Sequence, residues 1–365
     1  MSKILIDPQF IIPDELRFAI TRKCNGTCRH CYNHSGKNTD RLSSDNIIQI
    51  IDEIHKLNPR FDRITLTGGE PLNEVERVLK IARFAKALKI RVRLVTRGWE
   101  LNPDLCNELK KSGVTKIQIG LDSSGECVYK DDRQIEWDTY HSWLRDDKAG
   151  FRKTVNAIQT SINAGLTVSI RYSSCKSNLD DLTSTYKFVS SLGVSKFKFR
   201  VLFPDGRAKK RLIGELISGE DLAKSQYDLI QASENNKTGI EITQPCLYTL
   251  PNRKKKESNH FKFNSYKEAC PCGTVAAYID SNGDVKYCLF DENIFGNVYD
   301  SSFLNVWNSD SAKHARAQRC PLDHSGFSCS SFKLLYEQFK DYSVFLKDYN
   351  KEVRLKVNNT KNISK

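Results

Sequence analysis

Three cysteines, Cys24, Cys28 and Cys31, stand within eight residues in the spacing CxxxCxxC. Three thiolates in one loop can bind three irons of a four-iron cluster and leave the fourth iron without a protein ligand. An open iron is suited to binding and reducing another molecule. The alternative on spacing alone is one zinc ion held by the three cysteines with His30 or His34. Five more cysteines, Cys270, Cys272, Cys288, Cys320 and Cys329, gather near the C-terminus, while Cys106, Cys127, Cys175 and Cys246 stand singly. The N-terminus meets Asp7 and Pro8 before any hydrophobic run, so it does not read as a secretory signal. The chain is expected to be cytoplasmic with reduced thiols, where many cysteines point to metal or catalysis rather than to disulfides. No apolar stretch is long enough to span a membrane.

A second constellation is Thr67-Gly68-Gly69-Glu70-Pro71. Two glycines let backbone approach a ligand closely, and Glu70 supplies a carboxylate able to accept from an ammonium group. Both constellations follow strand-like segments. Strands are expected at 16–20, 63–66, 91–95, 116–121, 166–172 and 197–203. Helical periodicity fills the intervals: Ser43 or Ser44 caps a helix with Ile47, Ile50, Ile51 and Ile54 on one face, and Pro103 opens another that Gly113 stops. Strand and helix alternating six times imply a parallel sheet, which presents ligands at the carboxyl ends of its strands.

Residues 123–147 form a long insertion after the fourth strand, with Trp137, Tyr140, His141 and Trp143. It reads either as a substrate lid or as a surface loop whose aromatic residues pack locally. After position 245 the alternation stops. A hairpin is expected around Asn282-Gly283, and a last helical stretch around Leu334 to Phe345. The domains are expected at 1–245, 246–335 and 336–365. Lys plus Arg number 57 against 44 Asp plus Glu, a net charge of +13. That excess favours an anionic small-molecule substrate, and the run Arg207 to Arg211 reads either as a solvated loop or as a phosphate or carboxylate clamp. Basic and aromatic residues do not interleave as in nucleic-acid-binding grooves, so nucleic acid is not an expected partner.

Taken together, the cysteine spacing and Gly68-Gly69-Glu70 one strand later resemble the radical S-adenosylmethionine (SAM) enzymes. The likeness covers residues 16 to about 205 and, through a cysteine-rich extension, most of the rest. It implies a partial (β/α)6 barrel, TIM-barrel-like, with a small C-terminal α+β extension. It implies that Cys24, Cys28 and Cys31 ligate a 4Fe-4S cluster, that S-adenosylmethionine chelates the open iron, and that Gly68, Gly69 and Glu70 hold its methionyl amine. His30 takes a position beside the adenine. Thr96, Asp122 and Arg171 are further cofactor contacts, with Asn178 beside them. Two departures stand out: Arg97 where the family shows asparagine, and Gly120 where it shows serine.

The second cysteine group resembles the SPASM/twitch extension of these enzymes. That resemblance implies one auxiliary 4Fe-4S cluster on Cys272, Cys288 and Cys329, with Cys320 or Cys270 as fourth ligand. A structural zinc is the alternative. The implied activity is reductive cleavage of SAM to a 5′-deoxyadenosyl radical that takes a hydrogen atom from a small molecule, in an oxidation, epimerisation or deoxygenation of natural-product biosynthesis. An external one-electron reductant of flavodoxin or ferredoxin type is implied, and Cys246 is a candidate hydrogen-atom donor. Only 23 residues precede Cys24, whereas peptide maturases of this kind often carry a peptide-binding module. Maturation of a ribosomal peptide is therefore the second expectation, and a non-catalytic metal-binding scaffold the third.

Overall fold

A computed structural model describes residues 11–33, 35–36, 40–126, 128–235, 241–243, 276–289 and 293–317. Four strands come first: β1 (Glu15–Thr21), β2 (Arg63–Gly68), β3 (Arg91–Thr96) and β4 (Val114–Gly120). A small separate hairpin, β5 (Tyr129–Lys130) and β6 (Glu136–Trp137), is followed by β7 (Thr167–Ser174), β8 (Lys196–Val201) and β9 (Glu241–Thr243). The last strands are β10 (Ala276–Ile279), β11 (Asp284–Lys286) and β12 (Gly296–Asn297). All but the small hairpin join one sheet in the order β12-β11-β10-β1-β2-β3-β4-β7-β8-β9. Every pair from β10 to β9 is parallel.

The helices are α1 (Ser44–Leu57), α2 (Val75–Ala87), α3 (Pro103–Ser112), α4 (Tyr140–Arg145), α5 (Gly150–Asn163), α6 (Leu182–Ser191), α7 (Ala208–Arg211), α8 (Gly219–Asn235), α9 (Phe303–Trp307) and α10 (Asp310–Ala317). The expected caps are in place. Ser43 accepts from the Asn46 N–H at the start of α1, and Gly113 ends α3 with φ +108°. The six expected β-then-α units all form, and β9 adds a further parallel strand.

Alternation along the strands divides the sheet into two faces. Phe18, Ile64, Leu66, Val92, Leu94, Ile117, Ile119, Val168, Ile170, Phe197 and Phe199 are fully buried in the main core with the apolar faces of the helices. Each such side chain contributes roughly 1.5–3 kcal/mol on burial. The opposite face is polar, with Arg17, Thr65, Arg93, Gln118, Ser169, Arg171 and Lys198 in neighbouring register. At its N-terminal edge Glu15 receives Arg17, Arg63 and Arg93 at 2.7–3.0 Å and ties β1, β2 and β3 together.

The C-terminal hairpin forms as its Asn-Gly turn predicts, with Gly283 at φ +94°. It does not stand off from the barrel. β10 lies parallel beside β1, so the described part of the extension continues the same sheet. The boundary expected at 245, the stretch around Leu334 to Phe345, and Cys127, Cys246, Cys270, Cys272, Cys320 and Cys329 lie outside the described residues. No described helix is long and apolar enough to cross a membrane.

Candidate active site

The loop after β1 carries Cys24, Cys28 and Cys31, with Cys28 buried and the other two partly exposed. The Cys24 and Cys28 sulfurs flank Gly26: a Cβ there would lie 3.6 and 3.7 Å from them and 2.8 Å from Arg97 Nη1. Burial pushes the Cys24 thiol up. Among the described residues no group of three His, Cys, Asp or Glu side chains is placed to hold a metal ion. Thiolates on separate irons need not converge on one point.

Three elements hold this loop. From the insertion, Trp143 O accepts from Arg29 Nε, Asp146 accepts from Arg29 Nη2 and Thr27 Oγ1, and the Arg29 guanidinium lies over the Trp143 ring at 5.0 Å. From beyond β8, Arg207 donates to the carbonyls of Cys28 (2.9 Å), Ser35 (2.8 Å) and Gly26 (3.4 Å). From the C-terminal hairpin, Asp280 pairs with Arg22, whose Nη1 donates to Asn33 O. Two alternatives left open by the sequence bear on this loop. Arg207 is tied to the loop, each of its guanidinium nitrogens donating to a loop carbonyl, and Arg211 Nη1 reaches Thr27 O at 3.3 Å. The insertion is not an open lid. Trp137, Tyr140, Trp143 and Leu144 form a second apolar core with Cys175, Leu202, Ala208 and Leu212, and that core buttresses the cysteine loop.

The end of β2 meets the same loop. The Gly69 N–H donates to Thr21 O (2.7 Å) and the Glu70 N–H to Lys23 O (2.9 Å). A Cβ on Gly68 would lie 2.3 Å from Thr21 O, and one on Gly69 2.3 Å from Lys23 O. The close approach that demands glycine is thus to the cysteine loop's own backbone. The sequence expectation had assigned it to a ligand. Glu70 is buried and accepts from Thr96 Oγ1 (2.5 Å), the Arg97 N–H (3.0 Å) and the Leu72 N–H (3.1 Å). Burial, reinforced by Glu100, outweighs these donors and raises its carboxyl to about 7. Arg97 lies 4.4 Å over the Trp99 ring and joins Asn25 of the loop to Glu100.

At the end of β4, Asp122 is fully buried and accepts from the Ser173 N–H (2.8 Å) and Arg145 Nη2 (2.9 Å). Burial alone would raise its carboxyl; Arg145, His141 and His30 outweigh burial and hold it well below the usual range. His141 Nδ1 accepts from the Asp122 N–H and Nε2 lies 3.1 Å from Thr154 Oγ1, which itself donates to Gly150 O. His141 Nδ1 also lies 3.4 Å from the Asp122 carboxylate, and burial lowers the pKa of the ring. Arg145 stands beside Cys28, and Asp122 and the Cys28 thiol favour its charged form over burial. Burial and Arg145 lower His30 to about 3, and its enclosed Nδ1 has no partner. Arg171 is lowered to about 10 by burial and then by Arg200; its Nε and that of Arg145 also lack partners. Asn178 is structural: its amide binds Asp122 O, Ser173 O and the Cys175 N–H. Arg145 and its hold on Asp122 were missed in the sequence. The signal was Gly120, because a Cβ there would lie 2.1 Å from Arg145 Nη2.

Cys24, Cys28, Cys31, His30, Gly68, Gly69, Glu70, Thr96, Asp122 and Arg171 thus gather at the carboxyl ends of the strands. Of the second cysteine group, Cys288 is described, partly exposed just after β11. Family models agree with this arrangement: residues 18–189 match the radical SAM superfamily, and residues 270–330 match an iron–sulfur cluster-binding domain, SPASM. The chain is a radical SAM enzyme with a SPASM domain. Such an enzyme uses S-adenosylmethionine and a 4Fe-4S cluster, and its SPASM domain carries auxiliary iron–sulfur. The chain is 24% identical over 323 residues to an AdoMet-dependent heme synthase of Methanosarcina barkeri, covering 86% of this chain and 87% of that one. It is 26% identical over 299 residues to a mycofactocin maturase of Mycolicibacterium smegmatis, covering 80% and 69%. In structure this radical SAM enzyme resembles Streptococcus suis SuiB bound to S-adenosylmethionine, with a TM-score of 0.65 at 14% identity, over 88% of this chain and 72% of that one.

The donor set suits the cofactors. Three cysteines share one braced loop, and two enclosed nitrogens beside it, on His30 and Arg145, lack polar partners.

Proposed function

We propose that this radical SAM enzyme removes a hydrogen atom from a small molecule, leading to an oxidation, epimerisation or deoxygenation in natural-product biosynthesis. The observation that carries the proposal is the enclosure of the cysteine loop. The insertion core, Arg207 and the Arg22–Asp280 pair fix it from three sides, and hydrogen-atom transfer depends on held geometry and exclusion of water. Bound to the reduced cluster, S-adenosylmethionine supplies the 5′-deoxyadenosyl radical. Cys24, Cys28 and Cys31 hold the cluster. Glu70, on the backbone of Gly68 and Gly69, accepts from the methionyl amine, and Thr96 fixes the Glu70 rotamer. Arg145, beside Cys28, offers a guanidinium to the methionyl carboxylate. His30 is kept neutral by burial and packs as an uncharged ring beside the adenine. Asp122 positions Arg145 and, through its backbone N–H, His141. An external one-electron donor of flavodoxin or ferredoxin type supplies the electron. Cys288 contributes to an auxiliary 4Fe-4S cluster with Cys272, Cys329 and either Cys320 or Cys270.

The likeness to the heme synthase runs along nearly nine-tenths of that relative, which supports a small-molecule substrate. A second reading, maturation of a peptide, is supported by the likeness to the mycofactocin maturase. The test is anaerobic turnover with reductant and S-adenosylmethionine, adding either the small-molecule ultrafiltrate of the host's cell extract or the retained, protease-sensitive fraction. 5′-Deoxyadenosine above the substrate-free rate is expected with the ultrafiltrate. Stimulation by the retained fraction alone, abolished by protease, overturns the proposal in favour of the peptide.

A further inference from the structure

Strand register sets Gly120 of β4, Arg171 of β7 and Lys198 of β8 side by side on the polar face of the sheet. Arg145 fills the space over Gly120. Lys198 reaches across β7, and its Nζ donates to Gln118 Oε1 at 2.5 Å. Arg200 stands two residues further along β8, on the same face, opposite Ser173. Lys196 precedes Lys198 by two residues, and Arg93 pairs with Lys116 across β3 and β4. Burial weakens proton binding most at both groups; after it, Arg93, Arg200, Lys196 and Lys116 weaken it further at Lys198, and Arg200 does so at Arg171.

The two groups of cations on this face are treated differently. At the N-terminal edge, Arg17, Arg63 and Arg93 converge on the Glu15 carboxylate. Lys198 has a neutral amide as its hydrogen-bond acceptor, and Arg171 has a buried Nε with no partner. Burying an ammonium beside other cations costs folding free energy, which an anion would recover. The location matters as well. Neighbouring strands lie about 4.8 Å apart, so Lys198 is on the order of 10 Å across the sheet from Gly120, where Arg145 meets Cys28.

We propose that Arg171, Lys198 and Arg200 form an anion subsite beside the cofactor pocket, which takes a carboxylate or phosphate group of the substrate. That the anion belongs to the substrate rests on the function proposed above. The subsite orients the substrate by its charged end and leaves a neutral carbon toward the cysteine loop.

The test uses the full-length, anaerobically reconstituted chain and two probes, inorganic phosphate and tricarballylate, titrated calorimetrically at constant ionic strength against chloride. Saturable binding of at least one probe is expected. A response to tricarballylate alone assigns the subsite to carboxylates, and a response to phosphate alone assigns it to phosphates. Lys198→Met should weaken that probe by about tenfold or more and, without anion, raise the apparent melting temperature, because a buried charge is removed. Arg200→Gln, at an exposed position, provides a second variant that should also weaken binding. Surface Lys56→Gln should bind as the wild type does. Binding no better than the chloride control, or unchanged binding in both Lys198→Met and Arg200→Gln, overturns the subsite. Iron content and substrate-free 5′-deoxyadenosine formation, measured on the same wild-type preparation, report separately on the proposed function. Normal cleavage without anion binding sinks the subsite alone; anion binding without cleavage sinks the function alone.

Discussion

The guanidinium of Arg145 occupies the space that a side chain on Gly120 would need: a Cβ there would lie 2.1 Å from Nη2. From that position Arg145 donates to the Asp122 carboxylate and stands beside Cys28. One glycine on β4 therefore admits an arginine of α4 into the barrel mouth.

The two residues should behave as a coupled pair. Arg145→Ala leaves Asp122 buried without its cation and should cost roughly 3 kcal/mol. Gly120→Ser pushes the far end of a flexible side chain and should cost about 1 kcal/mol. Combined, they should cost no more than Arg145→Ala alone, since the serine then has nothing to displace. Denaturant unfolding of the iron-free chains measures all three. Strictly additive costs would show that Arg145 does not lie over Gly120.

Gly69 is predicted to govern iron retention through the backbone. In Gly69→Ala the new methyl group meets the carbonyls of Lys23 (2.3 Å) and Arg22 (2.8 Å). Backbone cannot swing aside as a side chain can, so the cysteine loop must shift. Iron content after reconstitution should fall toward half that of the wild type, the SPASM iron remaining, while far-ultraviolet circular dichroism stays native. Full iron loading would mean that β2 and the loop do not touch in this way.

Much of this was legible in the sequence, for identifiable reasons. The strands and α1 follow from short-range patterns: Ile47, Ile50, Ile51 and Ile54 have helical spacing, and Ser43 is a capping residue. Cys24, Cys28, Cys31 and Gly68-Gly69-Glu70 are local motifs, legible without the fold. What stayed hidden depends on residues far apart in sequence. Arg207 binds the Cys28 carbonyl 179 positions away, and Arg22 binds Asp280 258 positions away. An arginine in a basic run looks like a ligand clamp until its carbonyl partners are known. The aromatic insertion was ambiguous for the same reason. Trp137 and Trp143 become a buttress only through Cys175, Leu202 and Leu212, which belong to later elements.

Glu15 predicts a pH dependence. Burial raises its carboxyl, but Arg17, Arg93 and Arg63 outweigh burial and lower it from 4.5 to about 2. Because the folded-state pKa lies below the unfolded one, the unfolded chain binds more protons between these values. The stabilisation is complete above about pH 4.5, and it is lost as pH falls toward 2. The shift corresponds to about 3 kcal/mol at neutral pH. Glu15→Gln should be less stable by that order at pH 7 and should approach the wild type near pH 2. Urea unfolding of both iron-free chains across this range measures the gap. A gap that widens on acidification would contradict the placement of Glu15 among three arginines.

The central claim is that the loop of Cys24, Cys28 and Cys31 holds the cluster that cleaves S-adenosylmethionine. The most direct measurement is chromatographic quantitation of 5′-deoxyadenosine and methionine from the anaerobically reconstituted chain with dithionite and S-adenosylmethionine. It is made for the wild type and for the variant with all three cysteines replaced by alanine. The wild type should form both products in equal amounts, and the variant neither, while the variant keeps whatever iron its SPASM domain binds. Equal cleavage by the two chains would contradict the assignment of the loop.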